Sequence, residues 1–156
     1  MGKQDMPLIS VKNLFKSELG TTENTVVDES ASELDLPESI ELSNITGKVK
    51  LMRLEESVAV KADLRAEVGL ICDRCLDNFD TGIKFKFDRE YQYDRKAESE
   101  DNLYVDKHMN IDLGPEIRDE LLLAIPFQNL CSDKCGGICP TCGVNLNHET
   151  CKCNIK

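Results

Sequence analysis

Hydrophobic and polar residues alternate along three stretches of this 156-residue chain, at 45–51, 58–70 and 83–93. Successive side chains of a β-strand point to opposite faces, so the alternation predicts three strands that are each buried on one face. Glu55-Glu56-Ser57 is a short turn between the first two stretches. Short turns join antiparallel strands, because parallel strands need a long crossover. The sequence therefore predicts a twisted antiparallel β-meander with one face in solvent.

A helix is predicted after the meander, between Pro115 and Pro126. Proline suits the first helical position, and the acidic Glu116 favours the positive end of the helix dipole. The apolar residues with helical spacing are Ile117, Leu121, Ala124 and Ile125. Pro126 ends the helix, because proline cannot continue the hydrogen-bond ladder. We expect the apolar stripe to cover the buried face of the sheet.

The remaining segments give weaker signals. Residues 8–19 have apolar positions at helical spacing, with Ser10 as a candidate N-cap, and predict a short helix that ends at Gly20. Residues 21–38 predict a mobile acidic connection, with a short strand at 25–27, and residues 94–110 predict an acidic surface loop.

Charge and apolar content limit the functional classes. The chain has 19 basic and 29 acidic residues, a net charge of −10, so contact with nucleic acid would need a local basic patch. No apolar run approaches the roughly 18 residues of a membrane span, and no secretory signal is apparent. We expect a cytoplasmic protein. Such a chain keeps its thiols reduced, so eight cysteines indicate metal binding rather than disulfides.

Six of the eight cysteines lie in the last 26 residues. They are Cys131, Cys135, Cys139, Cys142, Cys151 and Cys153. Cys139-Pro140-Thr141-Cys142-Gly143 is typical of a tight turn that bends two thiolates around one ion. A tetrahedral zinc site needs two more sulfurs, and Cys151 and Cys153 are the nearest supply.

The other two tail cysteines need partners elsewhere in the chain. Cys72 and Cys75, in the predicted loop between the second and third strands, can complete a second site with Cys131 and Cys135. We therefore predict two structural four-cysteine zinc sites. Three alternatives stay open: buried free thiols in the tail, a redox pair or plain hairpin cysteines at 72 and 75, and replacement of a tail ligand by His148. His108 is predicted to lie on the surface.

The predicted organisation is one integrated domain of α+β class. It comprises an N-terminal helix and acidic connection (1–44), an antiparallel sheet-plus-helix core (45–126) and a cysteine-rich zinc tail (127–156). No catalytic motif is apparent, and a closed four-sulfur site has no open position for a substrate. The sequence therefore predicts a protein that is not an enzyme and has no small-molecule substrate.

Two surfaces are candidates for partner contact. The alternate positions of the predicted strands that face solvent hold six basic and four acidic residues, a net charge of +2. This predicts either an RNA-contacting patch or an ordinary solvated face. Arg74, between two candidate ligands, could meet phosphate or offset the charge of a zinc–thiolate site. The candidate contact residues are Lys48, Lys50, Arg74, Lys84 and Lys86.

The cysteine motifs, together with the segment before them, resemble the YceD family. The matching pieces are Asp112-Leu113-Gly114, the run Glu120-Leu121-Leu122-Leu123-Ala124-Ile125-Pro126, all six tail cysteines, Asn145-Leu146-Asn147 and Cys72-Asp73-Arg74-Cys75-Leu76. The resemblance covers roughly residues 40–153. Gly136 stands where Lys or Arg is common in relatives. The resemblance implies a bacterial cytoplasmic protein, without established enzymatic activity, that is needed for accumulation of large-subunit ribosomal RNA; plant organelle relatives act in precursor processing.

The predicted function is therefore a non-enzymatic, zinc-binding accessory factor in large ribosomal subunit biogenesis. Its predicted partner is a large-subunit ribosomal RNA precursor or assembly particle. Ribosomal or assembly proteins are also candidates, which the acidic segments 21–41 and 94–106 would attract. No membrane partner is expected. The alternative is a thiol-based redox or metal-responsive regulatory protein. A nuclease-like processing enzyme would need an acidic metal cluster, which the sequence does not show.

Overall fold

The fold follows from a computed structural model, which describes residues 8–30, 34–93 and 103–153. Strands and helices follow one another along the chain as β1 (Leu8–Ser10), α1 (Lys12–Lys16), β2 (Thr22–Glu29), β3 (Glu41–Arg53), β4 (Ser57–Ile71), β5 (Asn78–Gln92), β6 (Leu103–Tyr104), β7 (Asn110–Asp112) and α2 (Gly114–Ala124). The predicted antiparallel meander with a C-terminal helix is confirmed.

The main sheet has five strands in the order β2-β3-β4-β5-β6. The first four are antiparallel neighbours, and β6 pairs in parallel with two residues at the end of β5. β1 and β7 form a separate two-stranded antiparallel sheet. Strands β4 and β5 have 15 residues each and pair along their whole length. The longest hairpin of the fold therefore ends at the loop that carries Cys72 and Cys75.

The core lies on the inward face of the main sheet, below α2. Every second residue of β4 from Val58 to Leu70 is buried. In α2, Ile117 and Leu121 are completely buried. The hydroxyl of Tyr91 in β5 donates to the carboxylate of Glu116 over 2.9 Å, which ties helix to sheet. Phe85, Phe87 and Tyr91 lie on the same inward side of β5 and are core residues.

The predicted helix over residues 8–19 is wrong at both ends. Leu8–Ser10 is strand β1, paired with β7, and α1 covers only Lys12–Lys16. The apolar spacing was ambiguous, because Ile9 and Val11 face inward at the period of a strand. Leu14, in α1, is buried in the core, while Leu19 is 60% exposed.

The acidic connection predicted for residues 21–38 is also wrong over its first part. β2 extends over Thr22–Glu29, well beyond the predicted 25–27. Its side chains are mostly polar, with Val27 buried, so it is held by full pairing with β3 rather than by burial. Of the predicted loop 94–110, residues 94–102 lie outside the described residues, and β6 lies within the remainder.

Gly47 gives a test of the sheet register. Its φ is +153°, and a Cβ there would collide with the Asp63 carbonyl oxygen and lie 2.8 Å from Leu64 Cα. We expect Gly47→Ala to lower the free energy of unfolding by about 3–5 kcal/mol, because strain and overpacking add. Gly20→Ala is the matched control: its φ is +83°, but its surroundings are open, so about 1–2 kcal/mol is expected. Equal losses in denaturant titrations would contradict this register.

Candidate metal centres

The loop between β4 and β5 holds Cys72 and Cys75 in a tight turn. The Leu76 N–H donates to the Cys72 carbonyl over 2.9 Å, and the Cys72 N–H donates to the Asp77 carbonyl over 2.9 Å. Leu76 has a φ of +62°, which reverses the chain directly after Cys75. Both cysteines are buried, and Cys72 continues the inward side of β4. The rigid hairpin therefore presents two thiols at its tip.

Two hydrogen bonds between Asp73 and Asn129 join the tail to this loop. The Asp73 N–H donates to the Asn129 carbonyl over 2.8 Å, and the Asn129 N–H donates to the Asp73 carboxylate over 2.6 Å. The chain then brings Cys131 Sγ to 3.7 Å from Cys75 Sγ. Cys135 Sγ lies 3.8 Å from Cys72 Sγ. We call Cys72, Cys75, Cys131 and Cys135 the first cluster.

The rest of the tail forms the second cluster, which consists of Cys139, Cys142, Cys151 and Cys153. The Gly143 N–H donates to the Cys139 carbonyl over 2.9 Å, and Gly143 has a φ of +76°, as a tight turn after Cys142 requires. Cys151 Sγ lies 3.2 Å from Cys139 Sγ and 3.6 Å from Cys142 Sγ. The structure thus brings together the same two sets of four that the sequence analysis grouped.

Each cluster could hold a metal ion. All four sulfurs of a cluster lie within 4.8 Å of one another, and none is in a disulfide. Sulfurs that share one tetrahedral ion at a 2.3 Å bond length lie about 3.8 Å apart. His148 does not join either set: its Nε2 lies 2.7 Å from the Asp77 carboxylate. His108 is exposed, as expected.

Backbone amides stabilise negative charge in the first cluster. Burial opposes ionisation of Cys72, but N–H groups of Cys75, Cys131 and Arg74 outweigh it and lower its pKa to about 6. Cys131 shows the opposite trend, because its hydrogen bond with Cys135 raises its pKa to about 12. Without a cation, the first cluster therefore holds a mixture of thiolate and thiol at neutral pH.

The second cluster has the same division. N–H groups of Cys142 and Thr141 lower the pKa of Cys139 to about 6. Hydrogen bonds with Cys142 and Cys151 raise the pKa of Cys153 to about 12. The turn that was recognised in the sequence therefore stabilises one thiolate, and a cation would be needed to ionise the rest.

Asn147 is a neighbour of the first cluster that the sequence analysis did not assign to it. Its side-chain nitrogen donates to Cys135 Sγ over 3.3 Å, and this contact is the main cause of the lowered pKa of Cys135. Asn147 lies between ligand candidates of the second cluster, so only the folded chain shows this contact. The sequence offered one signal for this residue, since Asn147 belongs to the Asn145-Leu146-Asn147 motif that resembles the family.

The candidate contact residues fall into two places. Lys48, Lys50, Lys84 and Lys86 are all exposed on the outward face of the main sheet. Arg74 is not on that face: it lies in the hairpin loop, where its guanidinium donates to the Cys135 carbonyl over 3.4 Å. Arg74 therefore belongs to the surroundings of the first cluster.

Like charges face one another across the outward strands. Lys50 lies directly opposite Lys61, and Lys84 lies directly opposite Arg65. Such pairs are destabilising by themselves. Within the described ranges, no carboxylate forms an ion pair with Lys50, Lys61 or Lys84. A depression of about 650 Å³ lies here, and its lining is of mixed charge: Lys48, Lys50, Lys61 and Lys86 together with Asp63, Asp88 and Glu120. Lys86 pairs with Asp63 over 3.3 Å.

Comparison with known proteins identifies relatives of this chain. Residues 60–156 match the family model described as "Large ribosomal RNA subunit accumulation protein YceD". The chain is 27% identical to the chloroplastic large ribosomal RNA subunit accumulation protein YCED homolog 1 of Arabidopsis thaliana, over 67% of this chain and 42% of that protein. It is 30% identical to an uncharacterized protein of Mycobacterium tuberculosis, over 65% and 51% respectively.

The chain thus spans about half the length, or less, of the curated relatives it matches. No solved structure is similar to it. In the part of the chain that the structure describes, no helix is long and apolar enough to cross a membrane.

The pKa pattern predicts how metal binding depends on pH. Cys131 and Cys153 hold their protons at neutral pH without metal, because each pKa is raised to about 12. Binding must displace these protons, since only a thiolate is a ligand. We expect zinc titrations in buffers of different ionisation enthalpy to show at least one proton released per metal, and affinity to rise with pH. Binding without proton release would contradict the assignment.

The tail should lose its order when metal is removed. Phe127 is fully exposed and Leu146 is 39% exposed, so apolar burial offsets little of the entropy of ordering the tail. We expect a strong chelator to abolish amide-exchange protection over residues 128–153, while β3, β4 and β5 stay protected. Persistent protection of the tail in metal-free protein would show that packing, not metal, orders it.

Proposed function

We propose, because the chain belongs to the YceD family, that it is a non-enzymatic, zinc-binding accessory factor in large ribosomal subunit biogenesis. In this role it promotes accumulation or processing of large-subunit ribosomal RNA. The observation that carries the proposal is the combination of the family match with two four-cysteine clusters. The partner is a large-subunit RNA precursor or the assembly particle that contains it.

Zinc is the metal that the donor sets favour. Four cysteine sulfurs in a tetrahedral arrangement suit zinc or an iron–sulfur cluster. Cys139 Sγ and Cys142 Sγ each lie within 3.6 Å of Cys151 Sγ, which suits a single ion at the centre. A four-sulfur site is closed and leaves no position for a substrate or an activated water. This supports a structural role for both ions.

The outward face of the main sheet is the surface that we propose for contact with RNA phosphates. Its support is the excess of lysine in a chain of net charge −10. Lys50 and Lys61 oppose each other, and neither forms an ion pair among the described residues, although Asp88 lies opposite Lys61 on β5. Bound phosphate would relieve that repulsion. Arg74 would add a contact from the hairpin loop.

A second candidate function is a thiol-based redox or metal-responsive regulator. The observation that favours it is the exposure of Cys142, whose sulfur lies 3.6 Å from Cys151 Sγ. Oxidants and competing chelators reach an exposed thiolate more readily than a buried one. Reversible disulfide formation in a protein that binds no assembly particle in either the reduced or the oxidised form would favour this role over assembly.

Paired charge reversals test the RNA-contact surface without loss of folding. Lys50→Glu and Lys84→Glu each replace a like-charge cross-strand pair by an opposite-charge pair, so the double variant should fold at least as well. We expect it to bind purified large-subunit precursor particles at least about tenfold more weakly. Its binding should also depend less steeply on salt, by about one unit of log–log slope per lysine.

The matched control is Lys12→Glu with Lys16→Glu, which changes net charge equally on exposed positions of α1. An equal loss of binding in the control would show that total charge matters and the sheet face does not.

If acidic segments 21–41 and 94–106 attract a basic protein instead, Glu23→Gln with Asp28→Asn should be the damaging change. If only Cys142→Ser abolishes binding, the contact surface lies in the tail.

A further inference from the structure

The segment 145–147 lies between two parts of the second cluster, but its contacts are with the first. Asn147 donates from its side-chain nitrogen to Cys135 Sγ over 3.3 Å. Its side-chain oxygen accepts the Gly136 N–H over 2.8 Å. One amide group thus holds both a ligand sulfur of the first cluster and the backbone next to it.

A second set of contacts joins the same segment to the hairpin loop. Asn145 donates to the Asp77 carboxylate over 2.8 Å, and His148 Nε2 lies 2.7 Å from the same oxygen. The Asp77 carbonyl in turn accepts the Cys72 N–H over 2.9 Å. The segment is therefore attached to both chain regions that supply sulfurs to the first cluster.

Short backbone contacts hold together the two segments that connect the clusters. Ile138 pairs with Asn145 as an isolated antiparallel bridge, and the Leu146 N–H donates to the Gly137 carbonyl over 2.9 Å. A Cβ at Gly136 would lie 3.1 Å from Leu146 Cβ, so the two strands of this small hairpin touch. Movement of 145–147 cannot leave the backbone between Cys135 and Cys139 in place.

We propose that Asn147 is a positioning residue through which the two cysteine clusters bind metal as one coupled unit. The inference rests on the proposed metal binding by both clusters. When the second cluster closes, it fixes the loop between Cys142 and Cys151 and holds the Asn147 amide on Cys135. When it opens, the first cluster loses that hydrogen bond. Coupling of two binding equilibria is reciprocal, so metal in the first cluster also favours closure of the second.

The two clusters differ in exposure, which sets the order of metal loss. Three of the four cysteines of the first cluster are buried, and Cys131 is exposed. In the second cluster Cys139 alone is buried. A chelator therefore reaches the second cluster more readily. Because Asn147 depends on that cluster, the loss then weakens metal binding by the first, so the more exposed cluster controls the more buried one.

The test measures metal affinity at each cluster separately. Cadmium-113 NMR of the full chain gives a separate signal for each four-sulfur site, assigned with Cys75→Ser and Cys142→Ser, and competition with a chelator follows each signal. We expect Asn147→Ala to weaken the first cluster by about 10–100-fold, the range for groups that orient metal ligands. Cys142→Ser should weaken the first cluster similarly, and combining the two changes should add little.

Two further variants separate this coupling from a general loss of folding. Asn147→Asp keeps an acceptor for Gly136 but removes the donor to Cys135, so it should weaken the first cluster at least as much. Asn129→Ala is the matched control, because the Asn129 side chain makes no hydrogen bond with the described residues. Amide exchange of the main sheet should be unchanged throughout. First-cluster affinity that is unchanged in Cys142→Ser or Asn147→Ala overturns the proposal, whatever the particle-binding result.

Discussion

The convergence of four sulfurs at the tip of the β4–β5 hairpin is the interaction on which the rest of the tail depends. Two strands of 15 residues, paired along their length, fix the position of Cys72 and Cys75. Cys131 and Cys135 must come to them, because the tail has little apolar burial of its own. Once this first cluster is closed, the short hairpin that carries the second cluster can lie against it. If the clusters bind metal as proposed, the sheet is the support and the metal-bound thiolates order the tail.

Electrostatics explains how these clusters could hold a cation. Backbone N–H groups lower the pKa of Cys72 and Cys139 to about 6, while hydrogen bonds with neighbouring cysteine sulfurs raise the pKa of Cys131 and Cys153 to about 12. The fold thus lowers the pKa of at least one cysteine in each cluster, and a positive ion favours ionisation of the full set. On the outward sheet face, Lys50 lies opposite Lys61, whereas Lys48 and Lys86 both lie opposite Asp63.

The sequence predicted the parts of the fold whose signal is local. The three long strands follow from alternation, and α2 follows from its prolines and apolar stripe. β2 could not be predicted in full, because a polar edge strand is stabilised by its partner β3 and not by its own pattern. β1 could not be predicted, because the apolar pattern of only three residues fits a strand and a helix equally well. The grouping of cysteines followed from counting and spacing, whereas the contact of Asn147 with Cys135 depends on the folded tail.

The most direct test of the account is the zinc-edge X-ray absorption spectrum of the purified chain, scaled to its metal content. The account predicts two zinc ions per chain, each surrounded by four sulfurs at about 2.3 Å. A single ion, a shell containing nitrogen or oxygen, or metal-free protein with its tail still ordered would contradict the claim that two thiolate clusters organise the tail.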